Sequence, residues 1–276
     1  MEKSCFICPV CRTGLFKTEK TYICQNGHSF DIAKKGYVNL LMSGNGGQHG
    51  DDKTMISARA DFLNRGFYDK LSEEICKCVN EHCQGGGIVL DAGCGECKYT
   101  ADIYESLERE DKKNTVIGVD ISKEALGFAK RRTNKLNLAV ASCADIPVEA
   151  ESADVLVNIF APFMPEEFKR VIKRDGMIIR VYPLAKHLWE LKELIYDVPY
   201  ENPETDMEEE GLTLVEKLDV KYDMEFKTNE DIMSLFKMTP YFYRTSEEDK
   251  KKLEEVKSLT CRAEFGIAIY KKNDHR

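Results

Sequence analysis

The sequence predicts an α/β protein, with a buried and mostly parallel sheet, that carries a small metal-binding module at its N-terminus. Apolar runs typical of strands alternate with helical segments between residues 88 and 183, a pattern that indicates βαβ units. A Gly-rich turn and an acidic residue follow the first two apolar runs, and a spaced pattern of Cys and His opens the chain. At 276 residues the chain is long enough for one large domain with a small annex.

The composition narrows the class of protein further. Hydrophobic residues make up 42% and charged residues 32%, which is the balance of a globular protein. No apolar run approaches 18 residues, and the N-terminus lacks the features of a signal peptide, so we expect no membrane partner and a cytoplasmic location. Eleven cysteines, an odd number, then favour free thiols over a disulfide framework.

Charge is distributed unevenly along the chain. The net charge is -8, but residues 1–65 hold 9 basic against 6 acidic residues, whereas residues 66–276 hold 31 against 42. If a polyanion is bound, we expect the N-terminal part to bind it.

The N-terminal stretch predicts a structural zinc site. Cys8 and Cys11 are separated by two residues, twelve residues follow, and Cys24 and His28 are then separated by three. Two short turns of this kind bring four ligands to a tetrahedral ion. Cys5 adds an overlapping pair, so a four-sulfur site is one alternative. A redox pair or ordinary buried thiols are the other. We favour Cys8, Cys11, Cys24 and His28, because they form two symmetric knuckles.

A site with four protein ligands leaves no open position for a substrate, so the predicted zinc supports a binding surface. Basic and aromatic residues surround it in the sequence and suit phosphates and bases: Lys17, Lys20, Tyr22, Phe30, Lys34, Lys35 and Tyr37. We therefore predict a zinc-binding, RNA-recognition domain at 1–42, a linker and connecting helix at 43–65, and a second domain at 66–276.

The second domain is predicted from hydrophobic periodicity. The predicted strands are residues 88–93, 115–122, 138–142, 153–160 and 177–183, and the predicted helices are residues 100–109, 123–133 and 165–173.

The ends of the first two strands carry a predicted cofactor site. LDAGCGE places Asp91, Gly93 and Gly95 at the first strand-to-helix turn, and Asp120 ends the second strand. Such glycines let a ligand approach the backbone closely, and the acid can accept hydrogen bonds from both hydroxyls of a ribose. A dinucleotide site is one alternative, but the G-x-x-G continuation that supports a pyrophosphate is missing. Glycines that merely form tight turns are the other alternative.

DAGCGE together with VDIS resembles the S-adenosylmethionine site of class I methyltransferases, whose fold is a Rossmann-like, mostly parallel seven-stranded sheet. By this resemblance Asp145 lies where the family carries an acid near the adenine, and Asn158 lies on the strand that meets the methyl acceptor. We expect Asn158, with the carbonyls of Phe160 and Ala161, to orient the acceptor. One departure is Cys97, because the family commonly has a third Gly there.

Longer runs resemble one family in particular, the RlmA family of 23S rRNA (guanine-N1)-methyltransferases. These runs are FDIAKKGYVNLL (30–41), GDDKTMISARADFLNRGFYDKL (50–71), KHLWELKELIY (186–196) and MTPY (238–241). The resemblance implies methylation of N1 of a guanine in a 23S rRNA hairpin, and a homodimer. It also implies cofactor contacts from Tyr68, Gly95, Glu96 and His187.

Other functions compatible with the sequence are a methyltransferase for another RNA or a small molecule, and a non-catalytic, zinc-dependent RNA-binding protein. A cytosine-C5 methyltransferase is disfavoured, because its nucleophilic cysteine usually follows a proline and none of the eight prolines here precedes a cysteine.

Overall fold

The computed structural model describes residues 1–42 and 52–273. Within these ranges a small antiparallel sheet precedes a large mixed sheet that is covered by helices. The small sheet consists of β1 (Glu2–Ile7), β2 (Gly14–Lys17), β3 (Thr21–Cys24) and β4 (Ser29–Asp31). The large sheet consists of β5 (Tyr37–Asn39), β6 (Ile88–Ala92), β7 (Thr115–Asp120), β8 (Asn137–Val140), β9 (Ala153–Ile159), β10 (Ile172–Pro183), β11 (Leu212–Phe226) and β12 (Leu259–Lys272). The helices are α1 (Lys53–Asn64), α2 (Asp69–His82), α3 (Lys98–Arg109), α4 (Lys123–Ala129), α5 (Pro165–Val171), α6 (Trp189–Ile195), α7 (Asn229–Lys237), α8 (Tyr241–Arg244) and α9 (Glu247–Glu254).

The large sheet has the order β11-β12-β10-β9-β6-β7-β8-β5. Its strands from β10 to β5 run parallel, and β12 pairs antiparallel with both β10 and β11. The chain runs from β6 outward to β7 and β8 and then returns to β9 on the other side of β6. This reversal opens a crevice at the carboxyl ends of β6 and β9, where open α/β sheets bind ligands.

The seven predicted strands correspond to β6–β12, and the described part of the large sheet contains one strand more. The additional strand is β5, which pairs with β8 through Tyr37 opposite Leu138 and Asn39 opposite Val140. β5 lies before residue 42, so the last part of the predicted zinc-binding segment belongs to the large sheet. The division at residue 42 stays a prediction.

The predicted linker and connecting helix, residues 43–65, are described only in part. Residues 43–51 lie outside the described residues, whereas α1 occupies most of the remainder. The Asp52 carboxylate accepts a hydrogen bond from the Met55 backbone N–H (2.9 Å) and so caps the start of α1. None of the described helices is long and apolar enough to cross a membrane.

Alternation along the strands places apolar side chains in separate cores on the two sheet faces. Val89 and Val155 pack into one core with helices α2, α3, α6 and α7, and their neighbours Leu90 and Leu156 pack into the other. This second core also contains residues of the small sheet, namely Phe6, Leu15 and Tyr22. The small sheet therefore shares an apolar core with the large one.

Polar contacts join the two sheets beside that core. The Ile7 backbone N–H donates to the Pro147 carbonyl oxygen (2.9 Å), and the Arg12 guanidinium lies 2.8 Å from an Asp145 carboxylate oxygen. The small sheet is thus attached next to the segment that follows β8.

Candidate cofactor cleft and zinc site

The turns of the small sheet bring Cys8, Cys11, Cys24 and His28 together. Their candidate ligand atoms all lie within 4.8 Å of one another. The Sγ atoms of Cys11 and Cys24 are 3.7 Å apart, and His28 Nδ1 lies 3.3 Å from Cys24 Sγ and 3.6 Å from Cys8 Sγ. A tetrahedral zinc with Zn–S bonds of about 2.3 Å requires ligands about 3.6 to 3.8 Å apart. The four side chains therefore fit a structural zinc ion.

Neighbouring groups prepare one of these thiols to act as a thiolate. The Thr13 hydroxyl lies 3.2 Å from Cys11 Sγ, and hydrogen bonds from the Thr13 side chain and backbone lower the pKa of Cys11 to about 5. Cys5, in contrast, is outside the cluster, and burial raises the pKa of its thiol to about 11. The geometry favours the mixed cysteine–histidine ligands over the four-sulfur alternative.

A cleft of about 1100 Å³ opens at the crevice in the large sheet. Seven of the eight predicted cofactor residues line it: Tyr68, Asp91, Gly93, Gly95, Glu96, Asp120 and His187. Parallel strands β6 and β7 bring the Gly-rich turn and Asp120 to the same edge of the sheet.

The Gly-rich turn is shaped by close approaches. A Cβ atom on Gly93 would lie 2.3 Å from the Ala161 Cβ, so no larger residue fits there. The Gly95 backbone N–H donates to Asp120 Oδ2 (2.8 Å), and the Ser122 backbone N–H donates to Asp120 Oδ1 (2.8 Å). These bonds fix the Asp120 carboxylate at the tip of β7, in the position expected for an acceptor from ribose hydroxyls.

Asp91 is an acid buried at the wall of the cleft. Its Oδ2 accepts a hydrogen bond from Thr100 Oγ1 (2.6 Å), while its Oδ1 is buried without a partner among the described residues. Burial, followed by the nearby Asp120 and Glu96, raises the pKa of Asp91 to about 7. A cation beside this unpartnered oxygen would favour the carboxylate form and lower the pKa again. S-adenosylmethionine carries two cationic groups, a sulfonium and an ammonium.

Tyr68 and His187 form a buried pair that lines the cleft. His187 Nδ1 accepts a hydrogen bond from the Glu264 backbone N–H (3.1 Å), so the neutral ring carries its proton on Nε2. Nε2 lies 3.4 Å from Tyr68 Oη and donates to it, which leaves the tyrosine O–H available to another acceptor. Burial, with Lys192 nearby, lowers the pKa of His187 to about 3, so the ring stays neutral.

Glu96 and Cys97 complete the turn. A buried Glu96 carboxylate oxygen lies 3.0 Å from the Arg132 guanidinium, which compensates its charge. Cys97 has a positive φ of 65° at the start of α3, a conformation that favours glycine. The departure from the family pattern noted above therefore places a non-glycine residue where the backbone still turns as glycine would.

Asp145 does not join the other predicted cofactor residues in the cleft. β8 ends at Val140, and a tight turn closed by the Asp145 N–H and the Ser142 carbonyl (3.1 Å) directs the chain toward the small sheet. Ser142 and Cys143 line the cleft instead, and Asp145 pairs with Arg12.

Asn158 lines the cleft but uses its amide hydrogens internally. Its Nδ2 donates to the carbonyl oxygens of Ala92 (3.0 Å) and Pro162 (3.3 Å). These bonds hold the turn in which Phe160 has a positive φ of 53° and an exposed side chain. The contacts of Asn158 are those of a side chain that supports this turn.

The sequence interpretation missed the wall that the C-terminal part of the chain supplies. Tyr200, Asn202 and Tyr241 line the cleft there, and the buried Lys192 donates to the Tyr200 carbonyl oxygen (2.9 Å) and to Asn202 Oδ1 (2.8 Å). The available signal was a lysine between the apolar residues of the run KHLWELKELIY, because a buried ammonium requires nearby acceptors.

Comparisons with known proteins agree with both sites. The protein-family model for the N-terminal zinc ribbon of RlmA matches residues 6–43. A second family model, for a methyltransferase domain, matches residues 89–176. A Micromonospora griseorubida protein named "Putative 23S rRNA (guanine-N(1)-)-methyltransferase" is 35% identical over 205 residues, 67% of each chain. The Streptomyces fradiae 23S rRNA (guanine(748)-N(1))-methyltransferase is 34% identical over 187 residues, 67% of this chain and 65% of its own.

A third relative extends over nearly the whole chain. The Bacillus subtilis "Putative 23S rRNA (guanine-N(1)-)-methyltransferase YxjB" is 29% identical over 275 residues, 96% of each chain. Fold and cleft thus define a class I S-adenosylmethionine-dependent methyltransferase that carries a structural zinc ribbon. More specifically, the chain belongs to the RlmA family.

Proposed function

We propose that this protein transfers a methyl group from S-adenosylmethionine to N1 of a guanine in a hairpin of 23S rRNA. The observation that carries this function is the attachment of an RlmA-type zinc ribbon directly beside a methyltransferase cleft, on the segment that follows β8. The shared names of three relatives support the same substrate.

The cofactor supplies an activated methyl group when bound, so the protein's main task is alignment. Asp120 is oriented by two backbone N–H groups to accept from the ribose, and Asp91 offers a buried oxygen to a cation. Tyr68, whose oxygen accepts from the neutral His187, directs its own O–H elsewhere. We propose these four side chains as cofactor contacts, together with the Gly-rich turn and Glu96.

The acceptor side of the cleft suits a planar base. Phe160 is 45% exposed at the mouth, packed 5.4 Å from the Phe265 ring, and is held there by the turn that Asn158 supports. A base that leaves its stack to reach an enzyme is commonly received by stacking on such a ring. We therefore propose that the guanine stacks on Phe160 with its N1 edge toward the methyl group.

The test combines methyl transfer with mapping of the product. Protein-free 23S rRNA is incubated with the enzyme and labelled S-adenosylmethionine, and primer extension then locates the modified nucleotide, because a methyl group on N1 blocks Watson–Crick pairing. We expect label in 23S rRNA and one new stop at a guanine. Asp120→Ala should lose most of the label, while Asp145→Ala, outside the cleft, should retain cofactor binding.

Absence of label in 23S rRNA, with label instead in a small molecule or another RNA, would contradict the proposed substrate. A wild-type enzyme that binds the rRNA but transfers no methyl group under saturating cofactor would favour the non-catalytic alternative.

We also propose, from the family resemblance, that the protein works as a homodimer in the cytoplasm. Light scattering coupled to size-exclusion chromatography should give about twice the 31.5 kDa chain mass. A mass equal to one chain at micromolar concentration contradicts the dimer and leaves the proposed reaction unaffected.

A further inference from the structure

The net charge of the α/β part conceals a run without acids. Residues 125–144 contain four basic residues and no acidic one, although residues 66–276 as a whole are strongly acidic. The run comprises the body of α4, the turn after it, β8 and the start of the next turn. A second acid-free stretch, residues 32–42, contains Lys34 and Lys35.

The fold brings these two stretches together. β5 pairs with β8, which places the turn that carries Lys34 and Lys35 beside the end of α4. Lys130 Nζ donates to the Lys34 carbonyl oxygen (3.2 Å), and the Lys35 side chain covers Gly127, whose added Cβ would lie 2.6 Å from Lys35 Nζ. The basic residues of the stretches 32–42 and 125–144 thus form one surface.

We name this surface the cation strip. Its members are exposed and form no ion pair within the described ranges: Lys34, Lys35, Lys130, Arg131 and Lys135. Arg132, the remaining basic residue of the run, instead forms an ion pair with Glu96, which lines the cofactor cleft. The dipole of α4 favours a cation at its C-terminal end. It does not account for Lys34 and Lys35, which come from another element.

The strip lies close to the cleft, and an acidic segment lies at another part of the cleft wall. Ser122 and Ala125, at the start of α4, line the cleft, and a helix of seven residues is only about 10 Å long. Residues 201–210 hold six acidic residues and no basic one, and Pro203 and Thr205 of this segment also line the cleft. A polyanion is therefore attracted at the end of α4 and repelled at the 201–210 segment.

We propose that the cation strip binds the phosphate backbone of the RNA substrate, so that the methyltransferase domain itself supplies three of the five cations. This inference rests on the proposed function for the identity of the RNA. The end of α4 and the following turn would then bind part of the RNA. The charge balance of the sequence had predicted RNA binding by the N-terminal part alone.

The test compares two triple variants of the full-length, zinc-loaded protein. In the strip variant Lys130, Arg131 and Lys135 are changed to Ala. In the matched control Lys113, Lys227 and Lys257 are changed to Ala; these are also exposed and without an ion pair in the part of the chain that the structure describes. Both variants lose three positive charges, and all six side chains are exposed, so both should fold.

Affinity for protein-free 23S rRNA is measured by filter binding between 50 and 200 mM salt, and cofactor affinity by calorimetry. Losing three phosphate contacts should make the negative slope of log affinity against log salt shallower by about 2.1 to 2.7. The loss of affinity between 50 and 200 mM salt is then roughly 20- to 40-fold smaller. We expect this change in the strip variant alone, with unchanged cofactor affinity in both.

The outcomes separate the two proposals. An unchanged slope in the strip variant, or an equal change in the control, overturns the strip even if the wild type methylates rRNA. A wild type that transfers no methyl group to rRNA, but whose salt slope falls in the strip variant only, supports the strip and refutes the proposed reaction.

Discussion

Different interactions stabilise the zinc ribbon and the cofactor cleft. The ribbon has strands of three to six residues, and its buried side chains Phe6, Leu15 and Tyr22 pack against the core of the large sheet. The cleft is formed by the ends of buried parallel strands, where two backbone N–H groups orient Asp120. The difference teaches that this chain uses metal coordination where its core is too small, and packing where the core is sufficient.

Removal of the zinc tests this difference between the two regions and has the largest expected effect. In Cys24→Ala we expect zinc content to fall from one ion per chain to none and the ribbon to unfold, because zinc binding contributes about 10 kcal/mol or more to such modules. Metal analysis and hydrogen exchange should show protection lost in β1–β4 and retained in β6 and β9. Cys5→Ala, outside the cluster, is the control and should keep its zinc. A metal-free wild type of unchanged stability would contradict the prediction.

Asp91 provides the next largest expected effect, in the cleft. Its pKa rises from an ordinary value of 3.8 to about 7 on folding, so the folded state binds a proton that the unfolded state releases. The folded, cofactor-free protein is therefore favoured below pH 4 and loses up to about 4 kcal/mol of this contribution between pH 4 and 7. Denaturant titrations should show this slope in the wild type and lose it in Asp91→Asn. Identical pH profiles for the two proteins would be evidence against a buried, protonated Asp91.

Asp120 tests whether the cleft recognises a ribose. Removing an acceptor that bonds to two hydroxyls should weaken cofactor binding by roughly 1.5 to 3 kcal/mol in Asp120→Ala. Calorimetry measures this loss, while zinc content serves as the control and should not change. Tighter binding of NAD than of S-adenosylmethionine by the wild type would reject the site as proposed.

The smallest effect is expected where the two regions meet. Arg12 and Asp145 form an ion pair whose side chains are both 51% exposed, and pairs this exposed contribute at most about 1 kcal/mol. A double-mutant cycle of Arg12→Ala and Asp145→Ala should give a coupling energy below that value. Asp145→Ala should leave cofactor affinity within about twofold of the wild type. A tenfold weaker binding would return Asp145 to the cofactor site.

Patterns that operate over short distances could be read from the sequence. The spacing of Cys8, Cys11, Cys24 and His28 is set by two tight turns, and the structure brings these four side chains together as that spacing predicts. The Gly-rich turn with Asp120 at the next strand end was equally recognisable, because parallel neighbours must present their carboxyl ends at the same edge. Strand and helix alternation was correct within a few residues, except that β10 begins at Ile172, earlier than its apolar run indicates.

By itself, then, the sequence determined the α/β class, the cysteine and histidine side chains that converge, and the Gly-rich turn at the cleft. Turn chemistry and hydrophobic period act between near neighbours. Only the tertiary structure decided that β5 joins the large sheet, that Asp145 faces Arg12, and that Lys34 lies beside Lys130. It also decided that Lys192 bonds to Tyr200 and Asn202 in the wall of the cleft that the C-terminal part of the chain supplies. Each of these contacts joins side chains or strands through packing in three dimensions, which no local periodicity encodes.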